Sequence, residues 1–204
     1  MKRLYREGAR YYEDNQPNPT KVYENWLELL KKTDYTSVLD IGCGLGDFTQ
    51  MLQDEGYEAV GIDSSEQMIR AARKKHPECK FVQANAVDYK PAQEVGIMAF
   101  TVLPHLSQKE LGTLFKRMGQ EDYTKALWFD YPKYVKQLLD RVTSMPGIDF
   151  VFHPEGKIEY LVGEYREELW LVTPSLVEAL AEACGLGTRI LKEGRIRYYQ
   201  ECKI

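Results

Sequence analysis

The sequence predicts a doubly wound α/β domain with a mostly parallel, seven-stranded sheet that ends in an antiparallel hairpin. A short apolar run ending in Asp40 leads through closely spaced glycines into an amphipathic stretch, which is typical of a strand, a tight turn and a helix. Strand-like runs then alternate with helical stretches as far as residue 130. Two strand-like segments, residues 188–191 and 195–202, flank a turn signal and predict the final hairpin.

The length and composition favour one globular domain over residues 1–204, as a monomer or homodimer. Apolar residues make up 44% and charged residues 28%, and a net charge of −4 without a basic block disfavours nucleic acid as a partner. No apolar run approaches the ~20 residues that span a bilayer, and the N-terminus lacks the apolar core of a secretion signal. The cysteines lack zinc-type spacing, so we expect no metal, reduced thiols and a cytoplasmic location. These cysteines are Cys43, Cys79, Cys184 and Cys202.

The glycine turn predicts a nucleotide ligand without a phosphate at this position. Gly42, Gly44 and Gly46 stand at alternate positions after Asp40, where they let the backbone approach a ligand closely. The dinucleotide fingerprint requires a glycine at its sixth position, which is Asp47 here. A carboxylate at that helix start would repel a pyrophosphate.

The motif VLDIGCGLGDF resembles the first motif of class I S-adenosylmethionine-dependent methyltransferases, with its acid-x-Gly-x-Gly-x-Gly spacing intact. The resemblance covers the chain except residues 148–172. It implies a Rossmann-like fold, S-adenosylmethionine as cofactor, S-adenosylhomocysteine as product, and methyl transfer to an O, N or S atom of a small molecule. It also implies that Asp40, Gly42, Gly44 and Gly46 bind the cofactor.

The segment before the glycine turn, residues 1–35, predicts N-terminal cap helices. A breaker at residues 15–19 precedes Thr20, which is placed to cap a helix whose apolar face includes Trp26. Before the breaker stand Tyr11 and Tyr12. The resemblance implies that Tyr11 or Tyr12 reaches the cofactor or closes the substrate pocket, and it does not choose between them; we assign Tyr11 to the cofactor and Tyr12 to the substrate. Packing of an N-terminal helix is the alternative.

The second predicted strand, residues 59–63, ends in an acid placed to accept hydrogen bonds from both hydroxyls of a ribose. The alternative is that Asp63 only caps the helix that begins near Ser64. The resemblance implies that Ser64 and Met68 also bind the cofactor, with Met68 near the adenine. A methionine on a helix, taken alone, more often packs in the core.

The third predicted strand, Lys80–Gln83, leads to the predicted adenine contacts. In the family, an aspartate usually stands where this chain has Asn85, and the next backbone N–H, here that of Ala86, serves the ring. The asparagine carbonyl still accepts a hydrogen bond but lacks charge assistance, and Asp88 is an alternative acceptor. We assign Phe100, on the fourth predicted strand (residues 95–103), to the cofactor site.

The acceptor side of the site is assigned to residues near the carboxyl ends of later strands. His105 follows the fourth strand and is a candidate general base or substrate contact, with local packing as the alternative. Tyr131 follows the fifth strand, residues 125–130, and either lines the substrate cavity or belongs to a cap of a helix over residues 133–144. An antiparallel insertion at 148–172 predicts a substrate lid, to which we assign Tyr160 and Arg166.

Three other functions are compatible with parts of the pattern. A protein that binds S-adenosylmethionine or its product without turnover would keep the glycines and Asp63. A protein or nucleic-acid methyltransferase is disfavoured by the acidic composition and by the lack of an Asn-Pro-Pro-Tyr or Asp-Pro-Pro-Tyr set. The glycine spacing argues against a nicotinamide dehydrogenase.

Overall fold

Helices and strands alternate along the described part of the chain, which in this computed structural model comprises residues 20–90, 95–99, 102–120, 124–132, 148–153, 157–162, 165–193 and 197–203. Backbone contacts divide the chain into two units. The first holds residues 2–98 and 123–125, and the second holds residues 99–122 and 126–204. Each unit is described separately below, so the single domain and the single seven-stranded sheet stay predictions.

The first unit is a parallel α/β arrangement. Strands β1 and β2 pair in parallel with Asp40 opposite Gly61, and β2 pairs in parallel with β3 with Asp63 opposite Gln83. The strand order in this unit is β3-β2-β1-β4. Because parallel strands end at the same edge of a sheet, the turn after β1, Asp63 and the loop after β3 lie at one edge. The elements are α1 (Thr20–Leu30), β1 (Ser37–Ile41), α2 (Asp47–Asp54), β2 (Glu58–Asp63), α3 (Glu66–Lys75), β3 (Lys80–Gln83) and β4 (Val95–Ala99).

The core of the first unit lies between the helices and the strands. Trp26 and Leu30 of α1 are fully buried, as the predicted apolar face requires, and the ring of Tyr23 lies 4.9 Å from that of Phe48 on α2. Thr20 is itself the first helical residue, so α1 begins one residue earlier than a Thr20 cap would place it. The helix α3 is capped by Ser65, whose hydroxyl accepts a hydrogen bond from the Met68 N–H.

The second unit contains two antiparallel arrangements. Strand β10 pairs with both β5 and β9, which confirms the predicted C-terminal hairpin. Strands β6, β7 and β8 form a separate antiparallel sheet, which confirms the predicted insertion. The elements are a 3₁₀ helix (Leu103–His105), α4 (Gln108–Gln120), β5 (Thr124–Pro132), β6 (Ile148–Phe152), β7 (Lys157–Val162), β8 (Tyr165–Trp170), α5 (Pro174–Ala183), β9 (Gly187–Glu193) and β10 (Arg197–Lys203).

Two predicted strand ends were wrong. The fourth strand was predicted to reach Leu103, but β4 ends at Ala99 and Leu103 begins the 3₁₀ helix. Pro104 lacks the backbone N–H that a strand ladder needs. Leu103 extended the apolar run that predicted the strand, but it is fully buried within the 3₁₀ helix. Strand β5 runs to Pro132, so Tyr131 lies within the ladder, opposite Tyr198. The helix predicted over residues 133–144 lies outside the described residues.

No helix in the described ranges has the length and apolar character that crossing a membrane requires.

Candidate functional site

The glycine turn between β1 and α2 has three residues in the left-handed backbone region. The φ angles of Gly42, Gly44 and Gly46 are 71°, 53° and 83°. The N–H groups of Gly42 and Cys43 both donate to the carbonyl of Ile62, at 2.8 and 3.0 Å. The turn is therefore fixed to the end of β2 by backbone bonds, in a conformation that residues with a side chain rarely adopt.

The glycines of this turn differ in what surrounds them. A Cβ on Gly46 would lie 2.4 Å from Cζ of Phe81, so this glycine is required for packing between α2 and β3. A Cβ on Gly44 would meet no atom within 4 Å. The backbone of Gly44 is thus the part of the turn that a ligand can approach without meeting a side chain.

Asp63 links the end of β2 to both neighbouring loops. Its Oδ2 accepts a hydrogen bond from the Gly44 N–H at 3.2 Å, and its Oδ1 accepts one from the Ser65 N–H at 2.8 Å. The side chain that caps α3 is that of Ser65, so Asp63 is not the helix cap itself. A carboxylate oxygen has two lone pairs, and each oxygen of Asp63 therefore retains one acceptor position for a ligand.

Two carboxyl groups at this edge have raised pKa values. Burial raises the pKa of Asp63, and the N–H donors of Ser65 and Gly44 oppose that increase. Burial raises the pKa of Asp40 to about 7, against the opposing hydrogen bond from the Thr49 hydroxyl. Asp40 is 1% exposed and its Oδ2 lies 2.7 Å from the Thr49 Oγ1. Its carboxylate is thus enclosed by the protein.

The loop after β3 brings the predicted adenine contacts to the same edge. The Ala84 N–H donates to the Asp63 carbonyl at 3.0 Å, which ties the loop to the end of β2. Asn85 is exposed, and its Oδ1 accepts a hydrogen bond from the Val87 N–H at 3.0 Å. The second lone pair of that oxygen is left for a ligand. Ala86 is partly exposed beside it, and Asp88 is exposed further along the loop.

The two predicted contacts at the start of α3 differ in exposure. Ser64 is exposed, and its carbonyl lies 3.5 Å from the Gln83 Nε2 donor. Met68 is 3% exposed and belongs to the buried face of α3, with Ile69 and Ala72. The described contacts of Met68 are thus those of a core residue, and its contact with adenine stays a prediction.

The carboxylate of Asp47, on which the argument against a pyrophosphate ligand rests, contacts two basic side chains. Its carboxylate lies 2.7 Å from the Lys75 Nζ and 2.9 Å from the His76 Nε2. These contacts join the start of α2 to the end of α3, and the carboxylate remains part of the helix start that a ligand would meet.

Apart from Tyr12, the predicted acceptor residues fall in the second unit. His105 ends the 3₁₀ helix, is partly buried, and donates its backbone N–H to the Val102 carbonyl at 2.8 Å. Strand β8 of the insertion lies against this helix. The structure therefore brings His105 and the insertion together within one unit.

The register of the insertion separates two predicted substrate residues. Position 166 pairs with Leu161, and position 160 pairs with Glu167. Directly paired positions share a face, whereas consecutive positions lie on opposite faces of a sheet. Positions 160 and 166 therefore belong to opposite faces. The three other predicted residues, Tyr11, Tyr12 and Phe100, lie outside the described residues.

Thr49 and Gly61 support the turn, and the sequence alone did not predict a role for either residue. A Cβ on Gly61 would lie 2.6 Å from the Thr49 Oγ1 and 2.8 Å from Cδ1 of Phe81. The available signals were a glycine inside a strand pattern and a polar residue beside Phe48 at the start of a helix.

A depression of about 600 Å³ lies elsewhere in the first unit. It is lined near the start of β3 by residues that include Lys80 and Pro77, and the predicted cofactor residues do not line it. The described residues contain no group of three His, Cys, Asp or Glu side chains able to hold a metal ion.

Comparison with known sequences identifies a domain and distant relatives. Residues 38–120 match the family described as "Methyltransferase domain". The trans-aconitate 2-methyltransferase of Afipia carboxidovorans is 30% identical over 116 residues, which are 53% of this chain and 42% of that protein. The chain thus spans less than half the length of this curated relative.

Comparison with solved structures shows the fold. The PH0226 protein of Pyrococcus horikoshii OT3 has a TM-score of 0.78 at 23% identity, covering 100% of this chain and 99% of that one. The magnesium protoporphyrin IX methyltransferase (ChlM) of Synechocystis PCC 6803, solved with bound SAH, has a TM-score of 0.65 at 15% identity, covering 98% and 93%.

Proposed function

We propose that this chain, whose residues 38–120 match a methyltransferase domain, is a class I S-adenosylmethionine-dependent methyltransferase that methylates a small molecule. The relative from Afipia carboxidovorans is a trans-aconitate 2-methyltransferase, and one structural neighbour, a magnesium protoporphyrin IX methyltransferase, was solved with bound SAH. The acceptor carries an O, N or S nucleophile.

The observation that carries this proposal is the pairing of Asp63 with Gly44. The carboxylate holds the turn through the Gly44 N–H at 3.2 Å and keeps one acceptor position on each oxygen. The space beside Gly44 is open. A ligand with a ribose diol at Asp63 and a chain without phosphate groups along Gly44 fits this combination, which supports S-adenosylmethionine over a dinucleotide.

We assign the remaining cofactor contacts to residues at the same edge of the sheet or, for some, by resemblance alone. Asn85 and the Ala86 N–H would hold the adenine, while Gly42 and Gly46 shape the turn. Tyr11, Ser64, Met68 and Phe100 remain assigned to the cofactor by resemblance. When bound, S-adenosylmethionine supplies a methyl group already activated by its sulfonium. The protein's task is then to align the acceptor with that methyl group, an effect worth roughly 7–11 kcal/mol when the geometry is optimal.

The acceptor side is proposed to lie in the second unit. His105 would remove a proton where the acceptor is a hydroxyl, and an amine or thiolate acceptor would need no base. Tyr12, Tyr131, Tyr160 and Arg166 complete the proposed substrate contacts. Since positions 160 and 166 occupy opposite faces of the insertion, a pocket lined by one face would take only one of them. A cytoplasmic location and the monomeric or dimeric state stay predictions.

The test is turnover with a panel of carboxylate, hydroxyl, amine and thiol acceptors, measured as formation of S-adenosylhomocysteine. Product formation with any small acceptor is the expected result. Tight binding of S-adenosylmethionine with no product across the panel would favour a binding protein, and product formed only with protein or RNA would contradict the small-molecule assignment.

The role of His105 has its own test within the same assay. With a hydroxyl acceptor, His105→Ala should lower kcat by about 10²–10⁴, because a positioned base contributes that much. A rate within twofold of the wild type would assign His105 to local packing.

A further inference from the structure

A buried hydrogen bond joins the two ends of the glycine turn. Thr49 is 0% exposed and Asp40 is 1% exposed, and the Thr49 hydroxyl donates to the Asp40 Oδ2 at 2.7 Å. Asp40 precedes all three glycines of the turn and Thr49 follows them. This hydrogen bond therefore connects the two ends of the turn.

A third element fixes the position of that hydroxyl. Gly61 lies opposite Asp40 in the β1–β2 ladder. A Cβ at this position would come within 2.6 Å of the Thr49 Oγ1, so the hydroxyl occupies the space that a side chain at residue 61 would fill. Residues of β1, β2 and α2 thus meet at one polar contact in an otherwise apolar core.

The burial of Asp40 bears on the role that the resemblance implies for it. A carboxylate with 1% exposure that already accepts the hydrogen bond of the Thr49 hydroxyl is enclosed by the protein. The Gly44 backbone is partly exposed, and its N–H donates to Asp63. Asp40 and Asp63 therefore hold the turn from two sides, Asp40 through α2 and Asp63 through the Gly44 N–H.

We propose that Thr49 is a positioning residue for the cofactor: its bond to Asp40 sets the spacing of the two ends of the turn, and Asp40 acts on the cofactor through Thr49 and the turn. This proposal rests on the proposed function for the identity of the ligand. Thr49 packs closely against Gly61, and this contact restricts the orientation of the Thr49 hydroxyl. The Thr49 hydrogen bond stabilises the charged form of Asp40 and opposes the increase in pKa that burial causes.

Four variants separate this role from general stability. Thr49→Val keeps the shape and removes the hydroxyl, Thr49→Ser keeps the hydroxyl, and Asp40→Asn/Thr49→Val removes both partners. Thr113→Val is the control, because the Thr113 hydroxyl donates to the Lys109 carbonyl on an exposed part of α4.

The first readout is the affinity for S-adenosylmethionine and the steady-state kinetics. Thr49→Val should raise the dissociation constant and KM by about tenfold or more and change kcat less than twofold. Thr49→Ser should recover most of the affinity, and the double variant should bind no worse than Thr49→Val, because the two residues act as one unit. Wild-type affinity in Thr49→Val would overturn the proposal.

The second readout is amide hydrogen exchange in the protein without ligand. Thr49→Val should raise the exchange rates of residues 42–46 relative to Thr113→Val, and Thr49→Ser should restore them. Unchanged exchange in the turn would overturn the proposal. Because this readout needs no cofactor, faster exchange in a protein that does not bind S-adenosylmethionine would contradict the proposed function and still support the link between Thr49 and the turn.

Discussion

At the scale of single residues, glycines with similar backbone angles serve different purposes. Gly46 has no room for a Cβ because the Phe81 ring lies where the Cβ would be. Gly44 has room for a Cβ, yet its backbone is the part of the turn bound to Asp63. In this motif of alternate glycines, Gly46 is thus required for packing, whereas the space beside Gly44 is open.

A matched pair of substitutions separates backbone strain from ligand contact. Gly44 and Gly56 have φ angles of 53° and 89°, and a Cβ on either would meet no atom within 4 Å. Gly44→Ala and Gly56→Ala should each cost about 1–2 kcal/mol of stability through strain. Only Gly44→Ala should also weaken binding of S-adenosylmethionine, by about tenfold, because its methyl group enters the ligand's space.

Thermal melts and calorimetric titrations measure the two effects independently. Equal affinity in the two variants would show that the Gly44 backbone is not a ligand surface.

The buried Asp40 predicts a specific dependence of stability on pH. Its pKa rises from 3.8 to about 7 on folding because burial disfavours the charged form. The stability that this group contributes is therefore fully present below about pH 4 and is lost as the pH rises through about 7. Asp40→Asn removes that titration, so the loss of stability between about pH 5 and pH 8 should be smaller in the variant.

Urea unfolding at both pH values measures the difference. Asp63, whose pKa is also raised, is present in both proteins; its charge contributes to the raised pKa of Asp40, so Asp40→Asn removes the Asp40 titration together with this coupling. The same pH dependence in the variant and the wild type would contradict the raised pKa of Asp40.

At the scale of elements, the sequence patterns predicted strands better than their ends. The bounds of β3, Lys80–Gln83, match the prediction residue for residue. The fourth strand was extended too far, since the buried Leu103 has the same apolar character in a 3₁₀ turn as in a strand. The apolar character of a residue does not distinguish a strand from a 3₁₀ turn where a neighbouring proline determines the backbone conformation.

The candidate site was predictable to the extent that its residues belong to one continuous motif. The glycines and Asp63 could be proposed as site residues because their spacing is set by a strand, a turn and a helix. Thr49 and Gly61 were not, because their roles depend on which strand pairs with β1 and on how closely α2 approaches it. Such packing partners are visible only in three dimensions.

The close approach of α2 to the sheet leads to a prediction for Gly61. Gly61→Ala should destabilise the protein by about 1–3 kcal/mol, because its Cβ would meet Thr49, Phe81 and Cys43 at 2.6, 2.8 and 2.9 Å. Gly112→Ala is the control in helix α4, where the nearest atom to the new Cβ lies 4.0 Å away. It should stabilise by about 0.5–1 kcal/mol.

Chemical denaturation of both variants gives the answer. A Gly61→Ala protein as stable as the wild type would show that α2 shifts away from β2 at little cost.

At the scale of the whole molecule, the predicted roles divide between the two units. The described cofactor contacts belong to the first unit, whereas His105 and the insertion belong to the second. Cofactor affinity should therefore depend on the first unit, and acceptor choice on the second. The match to the methyltransferase domain ends at residue 120, before the insertion begins, so the domain match carries no information about the acceptor.

The most direct test of the central claim is calorimetric titration of the wild type, Asp63→Asn and Glu58→Ala with S-adenosylmethionine, S-adenosylhomocysteine and NAD. Glu58 is an exposed acid at the start of the same strand. The wild type and Glu58→Ala should bind both sulfur ligands and not NAD. Asp63→Asn should lose about 10- to 100-fold in affinity, the effect of one hydrogen bond to a charged group. Equal affinity in all three proteins, or binding of NAD alone, would contradict the assignment of this edge as an S-adenosylmethionine site.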